Sequence, residues 1–307
     1  MLDTEKADPA SSRATVMKEK IRRWWAEAPM TYGETHGTTE YHLPDGSVET
    51  VEIGTRRFFE LADQRFYSWN TPLHQPDGPF SAIFDYKRFE GKRVLEIGCG
   101  MGCMAMNWAQ RGALVTAVDL NPTSVSQTKL RFKQFGLDGD IRESDGESLP
   151  FEDESFDYVY SWGVLHHTPG TREALAEVYR VLKPGGQFGL MLYHRNSFLY
   201  RYTIAWVEGF VNMESRFLSP LELASRYSDG AREDGNPHTW PVTKREVRRD
   251  LVSQFGGVDI KVLGTDVPVI LNVWLPRLAE KLLPLSWQKA MARRFGWSLW
   301  ITGGKSL

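Results

Sequence analysis

The sequence predicts an α/β protein built on a Rossmann-like, mostly parallel sheet, and three observations carry that prediction. Val94, Leu95 and Ile97 form a short apolar run suited to a buried parallel strand, which breaks into Gly98-Cys99-Gly100-Met101-Gly102 before a helix start at Cys103. Val115-Thr116-Ala117-Val118-Asp119 is a second apolar strand, and its terminal acid stands 21 residues beyond Gly98. From Gly91 to Phe188, strand and helix alternate at the spacing of βαβ units with right-handed crossovers. Glycines let the backbone approach a ligand, and the free N–H groups of a first helical turn point at it. Strand, turn and helix therefore make a site for a nucleotide-like molecule, with Asp119 placed to accept from ribose hydroxyls.

Bulk properties narrow the function classes. With 307 residues there is room for one large domain or two small ones, and 41% hydrophobic with 25% charged residues is ordinary for a soluble globular protein. A formal net charge of −2 gives no field favouring nucleic acid or an anionic membrane. No apolar run approaches the roughly 18 residues that span a bilayer, and Met1 to Lys20 lacks the apolar centre of a signal peptide. Cys99 and Cys103 are the only cysteines. A disulfide there would distort the glycine turn and zinc would want further ligands, so reduced thiols in a cytoplasmic protein are expected, with no metal.

Residues 1–88 are expected to form a helical cap over a domain spanning 89–307. Val16 to Ala28 has helical spacing, with Ile21, Trp24 and Trp25 on one side, and packing on the main domain accounts for the tryptophans better than ligand contact. Thr31 to Gly37 is a polar loop carrying Tyr32 and His36, and Leu43 to Ser47 reads as a turn. Arg56 to Tyr67 is again helical and bears Arg65. Past the second strand, Asn121 caps a helix from Pro122 to Phe135. A short third strand covers Asp140 to Arg142, and the fourth covers Phe156 to Ser161. A helix over Thr171 to Leu182 and a turn at Lys183-Pro184-Gly185-Gly186 lead to the fifth strand, Gln187 to Tyr193. The loop Gly163 to Thr168 lies at the carboxyl end of the sheet, where ligands of open α/β folds sit. An aromatic insertion over 194–240 interrupts the alternation. Thr243 and Glu246 then form a capping box for a helix to Phe255, and Val258 to Leu263 is the sixth strand. The amphipathic stretch Val267 to Phe295, expected to cover the sheet or contact a second subunit as in a homodimer, precedes a last strand, Gly296 to Thr302.

The stretch from about Arg93 to Tyr193, a third of the chain, resembles the class I S-adenosylmethionine (SAM)-dependent methyltransferases. Its motifs are Leu95-Glu96-Ile97-Gly98-Cys99-Gly100-Met101-Gly102, Val118-Asp119, and Ser144-Asp145-Gly146-Glu147-Ser148-Leu149-Pro150-Phe151. They continue with Ser155-Phe156-Asp157-Tyr158-Val159, Val164-Leu165-His166-His167, and Val181-Leu182-Lys183-Pro184-Gly185-Gly186. A nicotinamide dehydrogenase would want glycine or alanine at Cys103 and has no reason to carry the later motifs. The resemblance implies a seven-stranded sheet whose last strand is antiparallel, a lid ahead of it, and a substrate chamber in the insertion. It places SAM along Glu96, Gly98, Cys99, Gly100 and Gly102, its ribose at Asp119 beside Leu120, and its adenine at Asp145, Gly146 and Glu147, with Trp162 nearby. Arg65 and Tyr67 are expected at the SAM carboxylate, because a guanidinium pairs bidentately with a carboxylate. His166, His167 and His194 are the candidate proton acceptors, and Tyr32, His36, Tyr193, Arg195 and Tyr200 the candidate substrate contacts.

Methyl transfer from a sulfonium is an in-line displacement in which positive charge is lost. Alignment therefore supplies most of the rate, and a base matters only where the acceptor must shed a proton. The expected reaction methylates a small polar metabolite on nitrogen, oxygen or sulfur, amino-acid-like on the strength of Arg195, and yields S-adenosylhomocysteine. A non-catalytic SAM-binding regulator, or a methyltransferase acting on protein or RNA, is the alternative; balanced charge speaks against RNA.

Overall fold

The computed structural model describes residues 9–27, 37–43, 45–70, 73–228, 235–264 and 284–307. Ahead of the main sheet come α1 (Pro9–Glu27), a hairpin of β1 (Thr38–His42) and β2 (Val48–Glu52), and α2 (Arg56–Trp69). The hairpin corrects the expectation of a wholly helical cap. Each of its strands buries one apolar side chain, Tyr41 or Val51, so no alternating run announces it. Its turn was readable: Asp45 accepts from the N–H and hydroxyl of Ser47 at 2.9 and 2.6 Å.

The main sheet begins with β3 (Arg93–Ile97), α3 (Cys103–Ala109), β4 (Leu114–Asp119), α4 (Pro122–Phe135) and β5 (Asp140–Glu143). It continues with β6 (Phe156–Trp162), α5 (Thr171–Val181) and β7 (Leu182–Tyr193). The insertion holds α6 (Leu199–Val211), a wide-turned π-helix, and α7 (Pro220–Ser228). After it, α8 (Lys244–Glu246) runs on in a wider coil over Val247–Leu251, followed by β8 (Gly256–Leu263), α9 (Leu285–Phe295) and β9 (Ser298–Gly304).

Seven strands pair in the order β5-β4-β3-β6-β7-β9-β8. The first five in that order are parallel, and β9 is antiparallel to both neighbours. Strand order reverses between β3 and β6, which is where an open α/β sheet leaves a crevice for ligand. Successive residues of β3 serve opposite cores: Val94 packs with Phe84 and Trp108, Leu95 with Leu175 and Val178. β7 begins at Leu182 rather than Gln187, because Leu182 already pairs with Phe156 and the Pro-Gly-Gly stretch is a register irregularity within the strand. The helix expected to reach Phe255 ends at Leu251. Among the described residues no helix is long and apolar enough to cross a membrane.

Candidate active site

At the carboxyl end of β3 the N–H groups of Gly98 and Cys99 donate to the Val118 carbonyl at 2.7 and 3.1 Å, stapling the turn to β4. Gly98 adopts φ 81°, and a Cβ on it would lie 2.3 Å from Val164 Cγ2. Gly102, at φ 74°, would place one 2.6 Å from Thr128 Cγ2. Both positions need glycine twice over, for conformation and for space.

Asp119, ending β4, closes the other side of the turn. Its Oδ2 accepts from Gly100 N–H and its Oδ1 from Asn121 N–H, each at 2.9 Å. Burial pushes its carboxyl up to about 6, against the backbone donors that favour the anion. Asn121 caps α4 by accepting from Thr123 N–H at 2.9 Å, and its Nδ2 donates to the Trp25 carbonyl at 2.7 Å.

That bond brings in α1, which roofs the cavity with Lys18, Ile21, Arg22 and Trp25. Lys18 Nζ reaches Asp145 Oδ2 at 2.6 Å and Glu147 Oε2 at 2.5 Å, and Arg22 reaches Glu143 at 2.8 Å. Burial works against the Lys18 charge, but the two carboxylates outweigh it and raise the ammonium above its ordinary value. Glu147 also accepts from Thr168 Oγ1 and, at 2.9 Å, from Gly170 N–H, so it ties the roof to the loop after β6.

The cavity is also lined by two buried charged groups, Glu96 and Arg131. Glu96 is wholly buried, which pushes its carboxyl up to about 8, and its Oε2 has no partner among the described residues. Arg131, on the buried face of α4, sets Nη1 2.8 Å from both oxygens of Asp63 and lies over the Phe59 ring at 4.6 Å. Its Nε and Nη2 have no partner among the described residues. Burial raises the Asp63 carboxyl, opposed by Arg131.

On the far wall, Trp162 ends β6 and His167 follows in the loop, with Trp25 edge-on to it at 5.5 Å between ring centroids. His167 Nδ1 lies 2.9 Å from the His238 carbonyl oxygen and 3.2 Å from Thr239 Oγ1. His166 is fully buried between His167 and Tyr193, with ring centroids at 4.1 and 3.8 Å, and burial holds its pKa well below the usual imidazole range.

The cavity thus brings together Glu96, Gly98, Cys99, Gly100, Asp119, Leu120, Asp145, Gly146, Trp162 and His167. Other expected residues lie off its walls. His194 is buried with Nδ1 3.1 Å from the Gly296 carbonyl. Arg195 is ion-paired with Glu246. Tyr200 packs on the cluster of Ile204, Leu223 and Trp297, and Tyr193 stacks on Trp297 at 4.4 Å. Arg65 is exposed, and the Tyr67 hydroxyl accepts from Asn107 and Cys103 at 2.8 and 3.3 Å. Tyr32 and His36 lie outside the described residues. Lys18, Trp25, Asp63 and Arg131, which do line the cavity, had gone unassigned to it. Only Arg131 carried a signal: it follows Ser124 and Thr128 at helical spacing on a face whose other members are uncharged.

A model of the methyltransferase domain matches residues 95–190. The chain is 31% identical over 191 residues to a ubiquinone biosynthesis O-methyltransferase of Hahella chejuensis, spanning 58% of this chain and 80% of the relative. With the Stutzerimonas stutzeri protein of the same name it shares 32% over 192 residues, 58% and 81% of the two chains. The chain belongs to the class I SAM-dependent methyltransferases. A SAM-dependent methyltransferase from Methanosarcina mazei has the same fold at TM-score 0.51 and 22% identity, covering 74% of this chain and 98% of that one. SpnF, a 4+2 cyclase, matches at TM-score 0.52 and 17% identity over 94% and 96%. For this methyltransferase such distant likenesses speak to the fold alone, since one fold hosts several chemistries. SAM is its cofactor and methyl transfer its reaction.

Proposed function

We propose that this methyltransferase transfers the SAM methyl group to a hydroxyl oxygen of a small, ring-bearing acceptor, with His167 accepting the hydroxyl proton. The carrying observation is the environment of His167 Nδ1. A backbone carbonyl can only accept, so it favours the proton on Nδ1 and leaves Nε2 as the basic nitrogen. A thioether acceptor has no proton to shed and needs no such base; a hydroxyl does. Trp25, Phe66, Trp162, Val164 and Leu165 make the surrounding wall aromatic or aliphatic, which suits a planar acceptor. The curated relatives named above are O-methyltransferases. With Arg195 neutralised by Glu246, the reason for an amino-acid-like acceptor falls away.

Bound in the cavity, SAM supplies a methyl group activated by its sulfonium. The residues present fit it. Among the described residues Glu96 Oε2 has no donor and Arg131 Nε and Nη2 have no acceptor, which is the complement of an ammonium and a carboxylate at one amino-acid end. Those two residues would hold that end, Asp119 the ribose hydroxyls, and Asp145 with Gly146 the adenine edge beneath α1. SAM held there would give its methyl carbon to the acceptor oxygen with loss of the carbon–sulfur bond, and His167 Nε2 would take the hydroxyl proton. Incubating the enzyme with SAM and a panel of phenols, catechols, amines and amino acids, and weighing products by mass spectrometry, tests this. Methylated phenol or catechol is expected, with His167→Ala about 10²–10⁴-fold slower. Turnover confined to amines would overturn it.

A further inference from the structure

We propose that Asn236 is a positioning residue for proton transfer: with Ser228 and Thr239 it closes a ring of hydrogen bonds that restricts neutral His167 to its Nδ1–H tautomer. This rests on the reading of His167 as proton acceptor.

The proton count fixes each direction. His238 N–H lies 3.0 Å from one terminal atom of the Asn236 amide, and since a backbone N–H must donate, that atom is Oδ1. Thr239 Oγ1 donates to the same oxygen at 2.8 Å. Asn236 Nδ2 donates to Ser228 Oγ at 3.4 Å, and Ser228 donates its hydroxyl proton to Thr239 Oγ1 at 3.2 Å. The Thr239 proton is thereby used within the ring. Towards His167 Nδ1, 3.2 Å away, Thr239 Oγ1 offers only a lone pair. The His238 carbonyl, 2.9 Å from the same nitrogen, also only accepts. The carbonyl can only accept, and Thr239 Oγ1 accepts beside it for as long as its own proton stays on Asn236 Oδ1.

The ring is shielded and tied down. Thr239 is 0% and Asn236 4% exposed, so water does not compete for the bond between them, while Ser228 is half-buried. Asn236 N–H donates to the Ser225 carbonyl at 3.0 Å, Thr239 N–H to Ser225 Oγ at 2.8 Å, and Trp240 N–H to the His166 carbonyl at 2.8 Å. The insertion is thus clamped to α7 on one side and to the histidine loop on the other. An imidazole without such partners would divide between two tautomers, and the Nε2–H form would meet the acceptor hydroxyl as a donor, unable to take its proton.

The test labels the histidines of the full chain with ¹⁵N and reads tautomers from the ring-nitrogen shifts above the imidazole range, assigning His167 by difference with His167→Gln. Wild type is expected as Nδ1–H. Thr239→Val and Asn236→Ala should both move His167 toward a tautomer mixture and lower kcat about tenfold. S-adenosylhomocysteine affinity should stay within about threefold, which also certifies the fold. A wild-type Nε2–H form, a tautomer unmoved in both Thr239→Val and Asn236→Ala, or a moved tautomer with unchanged kcat would overturn the proposal. His167→Ala with full turnover would overturn the base reading instead, a result separate from the tautomer measurement.

Discussion

The side-chain amide of Asn121 faces two ways, donating to the Trp25 carbonyl at 2.7 Å while its oxygen caps α4 through Thr123 N–H at 2.9 Å. One residue thus holds both the roof of the cavity and the helix that follows Asp119.

The two duties separate by substitution. Asn121→Ser retains a capping oxygen and should cost only a few tenths of a kcal/mol in urea denaturation, whereas Asn121→Ala should cost about 1 kcal/mol. Both lose the bond to Trp25, so both should release α1 to protease faster than wild type. Proteolysis of Asn121→Ser at the wild-type rate would show that the ion pairs of Lys18 and Arg22 hold the roof without it.

Arg131 and Arg65 make opposed claims on the SAM carboxylate. Calorimetry with S-adenosylhomocysteine should find Arg65→Gln within about threefold of wild type and Arg131→Gln weakened at least tenfold. Arg131→Gln also strands the Asp63 carboxylate in a buried site, a change that typically costs about 3–5 kcal/mol. Adding Asp63→Asn should restore much of that stability and none of the affinity. Equal affinities for the two single arginine variants would place the carboxylate elsewhere.

What could be read from the sequence follows from how each feature is encoded. The glycine turn, Asp119 and the histidine loop are local signals: a few adjacent residues carry both strand end and ligand chemistry. Arg65 and Arg131 show the limit. Both are helical arginines, and nothing local tells that one faces solvent while the other is roofed by α2 and stacked on Phe59. His194 misled for a similar reason. It leaves the carboxyl end of β7 as a ligand contact would, but the turn between α9 and β9 supplies the Gly296 carbonyl that draws it inward, more than a hundred residues downstream. The roof itself depends on tertiary pairing of α1 with Asp145, Glu147 and Asn121, and helical periodicity is silent on that.

Glu96 makes stability and ligand binding pH-dependent. Its folded carboxyl sits near 8 against an ordinary 4.5, so its contribution to stability is present below about 4.5 and is lost as pH rises through about 8. The urea midpoint of the ligand-free enzyme should fall across that window, and Glu96→Gln should flatten the fall. An ammonium beside Glu96 favours the anion, so SAM binding near neutral pH should release protons. Calorimetric enthalpies independent of buffer ionisation would remove Glu96 from the ammonium site.

His194 and His167 should behave as opposites. His194→Ala breaks a buried bond and is expected to lower stability by about 1–3 kcal/mol with S-adenosylhomocysteine affinity intact. His167→Ala should leave affinity near wild type and slow turnover about 10²–10⁴-fold. A His194 variant of normal stability and no activity would return that residue to the chemistry.

The contact between Gly98 and Val164 exists because an atom is missing. Val164 presses where a Cβ would stand, and its carbonyl accepts from His167 N–H at 2.8 Å. The glycine turn and the histidine loop are therefore stacked backbone on side chain. That stack acts as a spacer of fixed thickness. Acceptor preference can drift through changes in Trp25, Phe66 or the 236–240 segment while the distance between donor and base stays as it is. Gly98→Ala would do the reverse, driving Val164 from its seat and spoiling the one dimension that all acceptors share.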